Sequence, residues 1–414
     1  MNVLNLKDIL SFKIRFRCDS WTDQWNRLIM CKIFLIIALV IGIDYFQDEI
    51  TCMISENAAI DGAFVQSACW IMGFYVYPDL SNQWKHVGYH GVPKDLSMDG
   101  IDKDGSLCPT ITKYGTLDPN CRPMRKEFYL QYQWYPFFVG SLALLYYIPY
   151  LVYRFANKDI ISLREVIEEG KHSKESILSS HFDRHMNSKN EMRVRVAGIF
   201  LVKILYLGVN FFAFSFIDSS MNGRFVKYGL SYLRWNSLPN SVAHDLQQRH
   251  RSKPSDQLLP PMGICDIDES SRDIRNTLIN RHRFICELSQ NILYQYCFLI
   301  IWFLIVASIV ISIYGIAQQV YYCAKGLWVL KMSQTPVYRS RDISLREHQY
   351  LEVIRDIDPL LYQDMESDLS NESNLNNGEA FNKALAPQPN GGPEPFTMKL
   401  QQLNGEPYHR MQPV

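Results

Sequence analysis

The cysteines are the residues of this chain whose chemistry is easiest to interpret from their positions. The sequence has 10 of them, and no two form a C-x-x-C pair, so the pattern favours neither a zinc ribbon nor a thioredoxin-like motif. Six lie in two long polar stretches, at Cys52, Cys69, Cys108, Cys121, Cys265 and Cys286. An even number of cysteines is typical of a disulfide framework, although six cysteines allow fifteen pairings and spacing does not choose among them.

Signatures of enzyme active sites are missing from the sequence. It contains no G-x-S-x-G, H-E-x-x-H, Walker A or G-x-G-x-x-G motif. His181 and His185 are four residues apart and would share one face of a helix, but no third metal ligand accompanies them. We therefore expect no enzyme activity, no cofactor and no metal site, and we interpret the two histidines as surface residues.

Four apolar blocks, separated by long polar stretches, must position the cysteines. A helix that spans a bilayer needs about 20 mostly apolar residues. The blocks are residues 28–46, 134–153, 196–217 and 292–317. The second and fourth have no charged residue and no polar face to present to water, which argues against helices buried in a soluble core. With 42 basic and 42 acidic residues, the chain also lacks the net charge of a nucleic-acid-binding protein.

The distribution of charge predicts which side of the membrane each segment faces. Five basic residues precede the first block, whereas Asp48 and Glu49 follow it, so the positive-inside rule keeps the N-terminus in the cytoplasm. Arg281 and Arg283, before the fourth block, point the other way. We expect an all-α membrane protein with four transmembrane helices, two disulfide-bearing extracellular loops, a helical cytoplasmic cap and both termini in the cytoplasm.

The same reasoning divides the chain into segments. The predicted segments outside the membrane are a cytoplasmic N-terminal segment (1–27), two extracellular loops (47–133 and 218–291), a cytoplasmic loop (154–195), a cytoplasmic helical tail (318–363) and a disordered C-terminal tail (364–414). The last of these is rich in Ser, Asn, Gln, Pro and Gly, which disfavours a packed core.

A short sequence pattern occurs twice in the predicted cytoplasmic segments. Ser-Leu-Arg-Glu begins at Ser162 and again at Ser344, and each matches a capping box. We expect each to open a short helix of the cytoplasmic cap, the second ending near Asp358 because Pro359 follows.

Polar residues inside the apolar blocks indicate where helices meet. Lys203 and Asn210 are seven residues apart in the third block, hence on one helix face, and we expect a helix–helix or subunit contact there. Lys32 and Asp44, near the two ends of the first block, are interpreted as interfacial.

Several short motifs occur in order along the chain. Tyr132, Gln133 and Trp134, followed by Pro136 at the start of the second block, resemble the YQWVPF signature of the innexin family, the gap-junction proteins of invertebrates. Cys69-Trp70 and Leu259-Pro260 with Cys265-Asp266 downstream resemble its cysteine-containing loop motifs. The resemblance covers about residues 20–320.

Some positions depart from the family pattern. Tyr135 stands where the family has valine, and the Gly-x-Pro-Ile sequence before the first loop cysteine is absent before Cys52. Residues 79–126 are an enlargement that carries Cys108 and Cys121.

The resemblance implies a disulfide pattern that the spacing did not. Cys52 would pair with Cys286, and Cys69 with Cys265, which ties the two outer loops together. Cys108 and Cys121 are then left over, and we expect them to pair locally.

The resemblance also implies a function. Six to eight copies of this chain, alone or with other innexins, would form a ring around a pore in the plasma membrane, in contact with membrane lipid. Two rings on neighbouring cells would dock as hemichannels and pass ions and small metabolites. In this reading the pore is lined near Met1, Leu4, Asp44, Asp48 and Glu49, and the three acids would repeat around the ring and favour cations.

Two alternatives stay open. One is an undocked hemichannel, as in the related pannexins; the other is a non-conducting four-span adhesion or scaffold protein. Neither outer loop contains an N-x-S/T sequon, so bulky outer glycans that would obstruct docking are not expected. This favours a junction over an undocked hemichannel.

Overall fold

A computed structural model gives the architecture of the chain. The residues that the structure describes are 19–47, 50–54, 60–82, 86–111, 116–170, 174–183, 187–244, 252–272, 277–332 and 343–369.

The described residues contain both helices and strands. The helices are α1 (continuous through Trp21–Gln24, the π-helical Trp25–Met30 and Cys31–Gln47), α2 (Gly62–Met72), α3 (Tyr135–Ala156), α4 (Lys158–Glu169), α5 (Lys174–Ile177, continued by the π-helical Leu178–Phe182), α6 (Lys189–Ser220), α7 (Phe225–Asn236), α8 (Asn240–His244), α9 (Pro254–Leu258), α10 (Gln290–Met332), α11 (Leu345–Ile357) and α12 (359–369). The strands are β1 (Thr51–Cys52), β2 (Phe74–Val76), β3 (Val87–Tyr89), β4 (Val92–Pro93), β5 (Gly100–Ile101), β6 (Leu107–Cys108), β7 (Arg122–Pro123), β8 (Glu127–Tyr129), β9 (Met262–Arg272) and β10 (Thr277–Glu287).

Four of these helices, α1, α3, α6 and α10, are long and apolar enough to cross a membrane. They pack as a bundle in which α3 lies between α1 and α6, and α10 contacts both α1 and α6. Aromatic side chains fill the interior: the rings of Phe34 and Tyr146 stack with centroids 5.3 Å apart, and Tyr135 meets Phe298 at 5.0 Å. The fold is therefore mostly helical with four membrane-spanning helices, as the apolar blocks predict.

The spanning helices extend beyond the apolar blocks at one end of the bundle. On that side α1 begins at Trp21, α6 begins at Lys189, and α10 continues to Met332. A helix outside the apolar block needs other partners, and Met192, on the first turn of α6, supplies one by joining a second hydrophobic cluster with Tyr350. The extra turns thus form the base on which a helical cap assembles.

The helical cap consists of α4, α5, α11 and α12. Its hydrophobic core, to which Met192 of α6 contributes, consists of Leu163, Ile177, Phe182, Met192, Ile343, Tyr350, Leu351, Ile354, Met365 and Leu369. The last two are four residues apart and share one face of α12, so helical structure continues past residue 364, where the composition predicts a disordered tail. Residues 370–414 of that predicted tail lie outside the described residues.

The two Ser-Leu-Arg-Glu sequences have different positions in the cap. Ser344 caps α11 as predicted: its hydroxyl accepts from the N–H of Glu347, and the Glu347 carboxylate accepts from the N–H of Ser344. The helix ends at Ile357, with Asp358 as its C-cap. The first occurrence does not start a helix, because Ser162 lies inside α4 and donates to the carbonyl of Asp159 at 2.9 Å.

The opposite end of the bundle carries a disulfide domain, formed by the described residues of 50–133 and 252–289. Its main sheet has five strands in the order β1-β10-β9-β2-β8, and every pairing is antiparallel. Two smaller sheets, β3-β4 and β6-β5-β7, lie in the segment 79–126. The sequence analysis predicted loops in this part of the chain but not their sheets.

Candidate functional site

The first disulfide joins the segment that follows α1 to the segment that precedes α10. Cys52 on β1 lies directly opposite Cys286 on β10, and the two are bonded with their Cα atoms 4.0 Å apart. The strand pairing continues at Met53, whose N–H donates to the carbonyl of Ile285 at 2.8 Å. These residues lie close in sequence to the last residue of α1 and the first residue of α10, so the bond holds these two helix ends together.

The second disulfide attaches a helix to the same sheet. Cys69 on α2 bonds Cys265 on β9, with Cα atoms 5.9 Å apart. The carboxylate of Asp61 caps α2 by accepting from the N–H of Ala63 at 3.1 Å. At the other end, Gly73 has φ of 79°, a left-handed conformation that glycine adopts without a Cβ penalty, and the chain turns there into β2. The helix is thus held at both ends and by a covalent bond.

These two disulfides are neighbours in a dry environment. The sulfur atoms of Cys52, Cys69 and Cys286 lie within 4.8 Å of one another, and all three residues are buried. Three such sulfurs resemble a thiolate metal site in their spacing. Because each is bonded to another sulfur, none is available as a thiolate ligand. The cluster is therefore a structural staple, and the structure contains both inter-loop bonds that the resemblance implied.

The Tyr-Gln-Trp motif connects this staple to the bundle. The hydroxyl of Tyr132 donates to the carbonyl of Trp70 at 2.6 Å, and the side-chain amide of Gln133 donates to the same carbonyl at 2.8 Å. Both bonds satisfy the free carbonyl end of α2. Trp134 is the N-cap of α3, and Pro136 lies in its first turn, where a missing N–H costs nothing. The motif thus sets the angle between α2 and the second spanning helix.

The described residues of the enlargement at 79–126 pack on the five-stranded sheet. Cys108 and Cys121 are bonded, as expected for the leftover pair. The guanidinium of Arg283 on β10 bonds the Asp99 carboxylate at 2.7 Å and the Leu96 carbonyl at 2.7 Å. Burial works to raise the pKa of Asp99, but bonds from Thr110 and Arg283 outweigh it and hold that pKa below its usual value. The described residues of the enlargement are therefore an ordered part of the disulfide domain.

A polar cluster lies inside the bundle at the end that carries the cap. Lys203 of α6 makes an ion pair with Asp23 of α1 at 2.8 Å, and Arg27 pairs with Asp19 at 2.6 Å. Lys203 also donates to the hydroxyls of Ser20 and Thr22. Paired and hydrogen-bonded charges of this kind are tolerated inside a membrane protein because no lone charge meets lipid.

The cluster extends two turns further along α6, to Asn210. The amide of Asn210 donates to the side chains of Asn26 and Ser312, each at 3.0 Å, and its oxygen accepts from Tyr146 at 2.7 Å. One residue thus joins all four spanning helices. The helix–helix contact predicted for Lys203 and Asn210 is confirmed, and these bonds explain why α1 starts at Trp21, before its apolar block.

The residues predicted to line the pore fall largely outside this geometry. Met1, Leu4, Asp48 and Glu49 lie outside the described residues, and Asp44 is described only as a backbone position in α1. The same helix exposes apolar side chains along its length. These are Leu35, Leu39, Val40 and Ile43. Such a face, on a helix long enough to cross a membrane, can contact lipid or another membrane-embedded chain.

A comparison with protein families assigns this combination of bundle and staple. The family described as Innexin matches residues 19–372. The chain belongs to the innexin family. The match includes the four spanning helices, the disulfide domain and the helical cap, so all three regions are parts of an innexin fold.

Characterised relatives agree with this assignment. This innexin is 22% identical to Innexin inx3 of Drosophila melanogaster over 304 residues, which cover 71% of this chain and 65% of the fly protein. It is 23% identical to Innexin inx2 of the same fly over 355 residues, covering 81% and 85% of the two chains. Innexin inx2 of Schistocerca americana is 21% identical, with 80% and 86% covered.

Sequence reasoning missed two features of this innexin. The partners of Lys203 lie in residues 20–23, which the apolar pattern placed before the first span. The strand β9 carries a period-two signal, because Cys265 and Ile267 are buried in the main core while Asp266 and Asp268 are more exposed. That alternation would have predicted a strand between the two loop cysteines.

Proposed function

We propose that this innexin is a subunit of a gap-junction channel, in which rings of subunits on two neighbouring cells dock through their disulfide domains. The observation that carries the proposal is the pair of disulfides Cys52–Cys286 and Cys69–Cys265, which lock two loops distant in sequence into one sheet at one end of a four-helix bundle. A rigid, covalently held end suits docking, since ordering loops at an interface weakens binding.

The proposal includes an orientation. The disulfide domain faces the outside of the cell and the helical cap faces the cytoplasm, together with both termini. Disulfides persist in oxidising compartments, and basic residues are enriched on the cytoplasmic side. Labelling of intact cells with a membrane-impermeant amine reagent should modify lysines of the disulfide domain, such as Lys103, and leave Lys174 of the cap unmodified. Labelling of Lys174 without permeabilisation would contradict this orientation.

Paired expressing cells test the channel itself. We expect a small fluorescent dye injected into one cell to enter its neighbour, and we expect junctional conductance between the two. Leak into single cells without transfer between pairs would favour an undocked hemichannel. Purified protein without conductance in planar bilayers would favour a scaffold.

The proposed filter is a ring of acids contributed by Asp44, Asp48 and Glu49 of each subunit. Carboxylates repeated around a pore attract cations and repel anions. The combined variant Asp44→Asn, Asp48→Asn, Glu49→Gln should lower the cation-to-anion permeability ratio. Asp104→Asn, in the exposed β5–β6 turn of the enlargement, is the matched control and should leave the ratio unchanged. An unchanged ratio in the triple variant would remove these acids from the filter.

A further inference from the structure

Helix α7 joins a membrane-spanning helix to the disulfide domain and has two unlike faces. Its inner face packs on α10: the hydroxyl of Tyr228 donates to the carbonyl of Gln295 at 2.9 Å, and the indole N–H of Trp302 donates to the carbonyl of Val226 at 3.1 Å. Gly229 lies against the Trp302 ring, where a Cβ would overlap it. These contacts leave α7 no freedom to rotate about its axis.

The outer face of α7 is a short apolar stripe. Val226, Leu230 and Leu233 are 43%, 55% and 50% exposed, and their spacing of four and then three residues places them in one line along the helix. Lys227 and Arg234, seven residues apart, are both exposed and flank one side of this stripe. The sequence of α7 contains no acidic residue. Among the described residues, neither basic side chain has an ion-pair partner.

The position of α7 along the bundle is set by its contacts with α10. Gln295 and Trp302 lie within the first thirteen residues of α10, and the apolar stretch of that helix begins at residue 292. At about 1.5 Å per residue, α7 therefore packs on the part of α10 that lies within about 18 Å of its first residue. The same turns of α10 expose Ile292, Tyr296 and Ile300, which leaves an apolar surface at this level. Counted from the start of that apolar stretch, these contacts lie in the first half of a hydrocarbon core about 30 Å thick.

We propose that α7 is an interfacial helix that inserts Val226, Leu230 and Leu233 among phospholipid acyl chains and pairs Lys227 and Arg234 with lipid phosphate groups. A helix with an apolar stripe, basic flanks and an origin at the end of a spanning helix has the composition of helices that lie in the membrane interface. A second copy of the chain is the other candidate occupant. Lysine is depleted in the cores of protein interfaces, and the two unpaired cations match lipid phosphate better.

Arg224, the residue just before α7, connects the helix to the disulfide domain. Its guanidinium bonds the Glu127 carboxylate at 2.6 Å and the Tyr129 hydroxyl at 2.7 Å, both on strand β8. It also donates to the carbonyl of Gln257 at 2.8 Å. A helix held in the lipid surface therefore fixes the height of the five-stranded sheet above the membrane.

Photo-crosslinking of the purified full-length particle in phospholipid nanodiscs tests the occupant directly. Leu230 is replaced by p-benzoylphenylalanine and the particle is irradiated. The product is then analysed by denaturing gel electrophoresis and mass spectrometry. We expect an adduct with the mass of one phospholipid. The matched control is Leu117, an exposed leucine of the enlargement that is 79% exposed, and the same replacement there should yield no lipid adduct.

Two results would overturn the proposal. A covalent dimer as the main product at position 230 would assign the face to a second copy of the chain. Equal lipid labelling at positions 230 and 117 would mean that the adduct reports only non-specific lipid. The experiment needs no channel activity, so its outcome is independent of the proposed function.

The basic flank is tested separately by lipid retention. Native mass spectrometry after delipidation and titration with phosphatidylglycerol should give on the order of tenfold weaker retention for Lys227→Gln/Arg234→Gln than for the unaltered chain. Lys103→Gln/Arg122→Gln, which removes two exposed cations of the disulfide domain, is the control and should retain lipid normally. Equal retention by both double variants would remove the phosphate-pairing role of Lys227 and Arg234.

Discussion

The two ends of the helix bundle are held together by different chemistry. At one end, two disulfides join cysteines separated by 234 and 196 residues, and a five-stranded sheet forms around them. At the other end, the described residues of the cap contain no disulfide, and a single carboxylate, Asp159, occupies the centre. It accepts from Arg346 at 2.7 and 3.0 Å, from Arg195 at 3.3 Å and from the hydroxyl of Tyr350.

The two ends should therefore respond differently to a change of pH or to a substitution. A covalent staple is insensitive to pH and to small movements of the helices that it joins. An ion-pair centre can be broken by one substitution or one proton. In the proposed orientation, the end that must present a fixed docking surface is stapled, and the end that faces the cytoplasm is held by reversible bonds.

The largest expected effect is the loss of the cap centre. Arg346 is completely buried, so Arg346→Met leaves the Asp159 carboxylate without its bidentate partner and should destabilise the cap by about 3–5 kcal/mol. Hydrogen exchange should rise in α4 and α11 and stay unchanged in β9 and β10. The control is Arg164→Met, which removes a solvent-accessible i,i+4 pair with Glu168, whose two side chains are 26% and 53% exposed, and should cost about 0.5 kcal/mol. Equal exchange in the two variants would mean that the cap does not depend on this carboxylate.

Removal of one inter-loop staple should rank second. Cys69→Ser/Cys265→Ser should lower stability by about 2–5 kcal/mol, with increased exchange in the sheet and none in the cap. Cys108→Ser/Cys121→Ser, which opens a bond between cysteines only 13 residues apart, is the matched control. Its effect should be smaller and confined to the enlargement. The comparison between the two ends fails if the first double variant loosens the cap as much as the sheet.

A single substitution in the same staple should have a different outcome. Cys265→Ser leaves a free Cys69 thiol whose sulfur lies within 4.8 Å of both sulfurs of the Cys52–Cys286 bond. A thiolate so placed can attack that bond, so we expect exchange to a Cys52–Cys69 or Cys69–Cys286 pairing. Non-reducing peptide mapping measures this directly. Recovery of intact Cys52–Cys286 as the sole species would show that burial suppresses the exchange.

The two Ser-Leu-Arg-Glu sequences give a smaller and sharper comparison within the cap. Ser344→Ala removes a capping hydroxyl and should cost about 1 kcal/mol of cap stability. Ser162→Ala, at the same position of the first sequence but inside α4, should be within about 0.5 kcal/mol of neutral. Thermal unfolding of the two variants side by side provides the measurement. A larger loss of stability for Ser162→Ala than for Ser344→Ala would contradict the assignment of Ser344 as the helix-capping residue.

Lowering the pH should weaken the cap in two stages, of which the stage near neutral pH should be the smaller. His181 is partly buried against the Tyr350 ring and not the surface residue that the sequence predicts. Burial lowers the pKa of His181 below its usual 6.5, so folding disfavours its protonation, and stability falls as the pH drops below 6.5. Burial works to raise the pKa of Asp159, but Arg346 and Tyr350 outweigh it and hold that pKa below 3.8. Its contribution is present above that pH and is lost as the pH falls through the lower, folded value.

Hydrogen exchange in α11 between pH 7 and pH 3 can separate these stages. His181→Gln should remove the stage near neutral pH and keep the acid stage, whereas Asp159→Asn should do the opposite. The buried sheet of the disulfide domain serves as the internal reference. An identical pH profile in both variants would contradict the assignment.

The bundle was predictable from sequence because apolar blocks of the required length are a one-dimensional signal. The disulfide pairing was predictable only through the family motifs, since six cysteines and their spacing leave many pairings open. The Asp159–Arg346 pair was not predictable, because its members lie 187 residues apart and each occurs in an ordinary polar helix. The same holds for Lys203, whose partners depend on how α1 enters the bundle.

The separation of the stapled cysteines has a consequence for biosynthesis. Cys52 is translated 234 residues before Cys286, and at about 5–20 residues per second this amounts to roughly 10–50 s of exposure as an unpaired thiol. Cys69 waits for Cys265 during much of the same interval, with Cys52 only a short loop away. Correct pairing thus requires that Cys52 and Cys69 stay reduced until the last spanning helix is being made. A cell that oxidises this chain earlier would trap it with a Cys52–Cys69 disulfide.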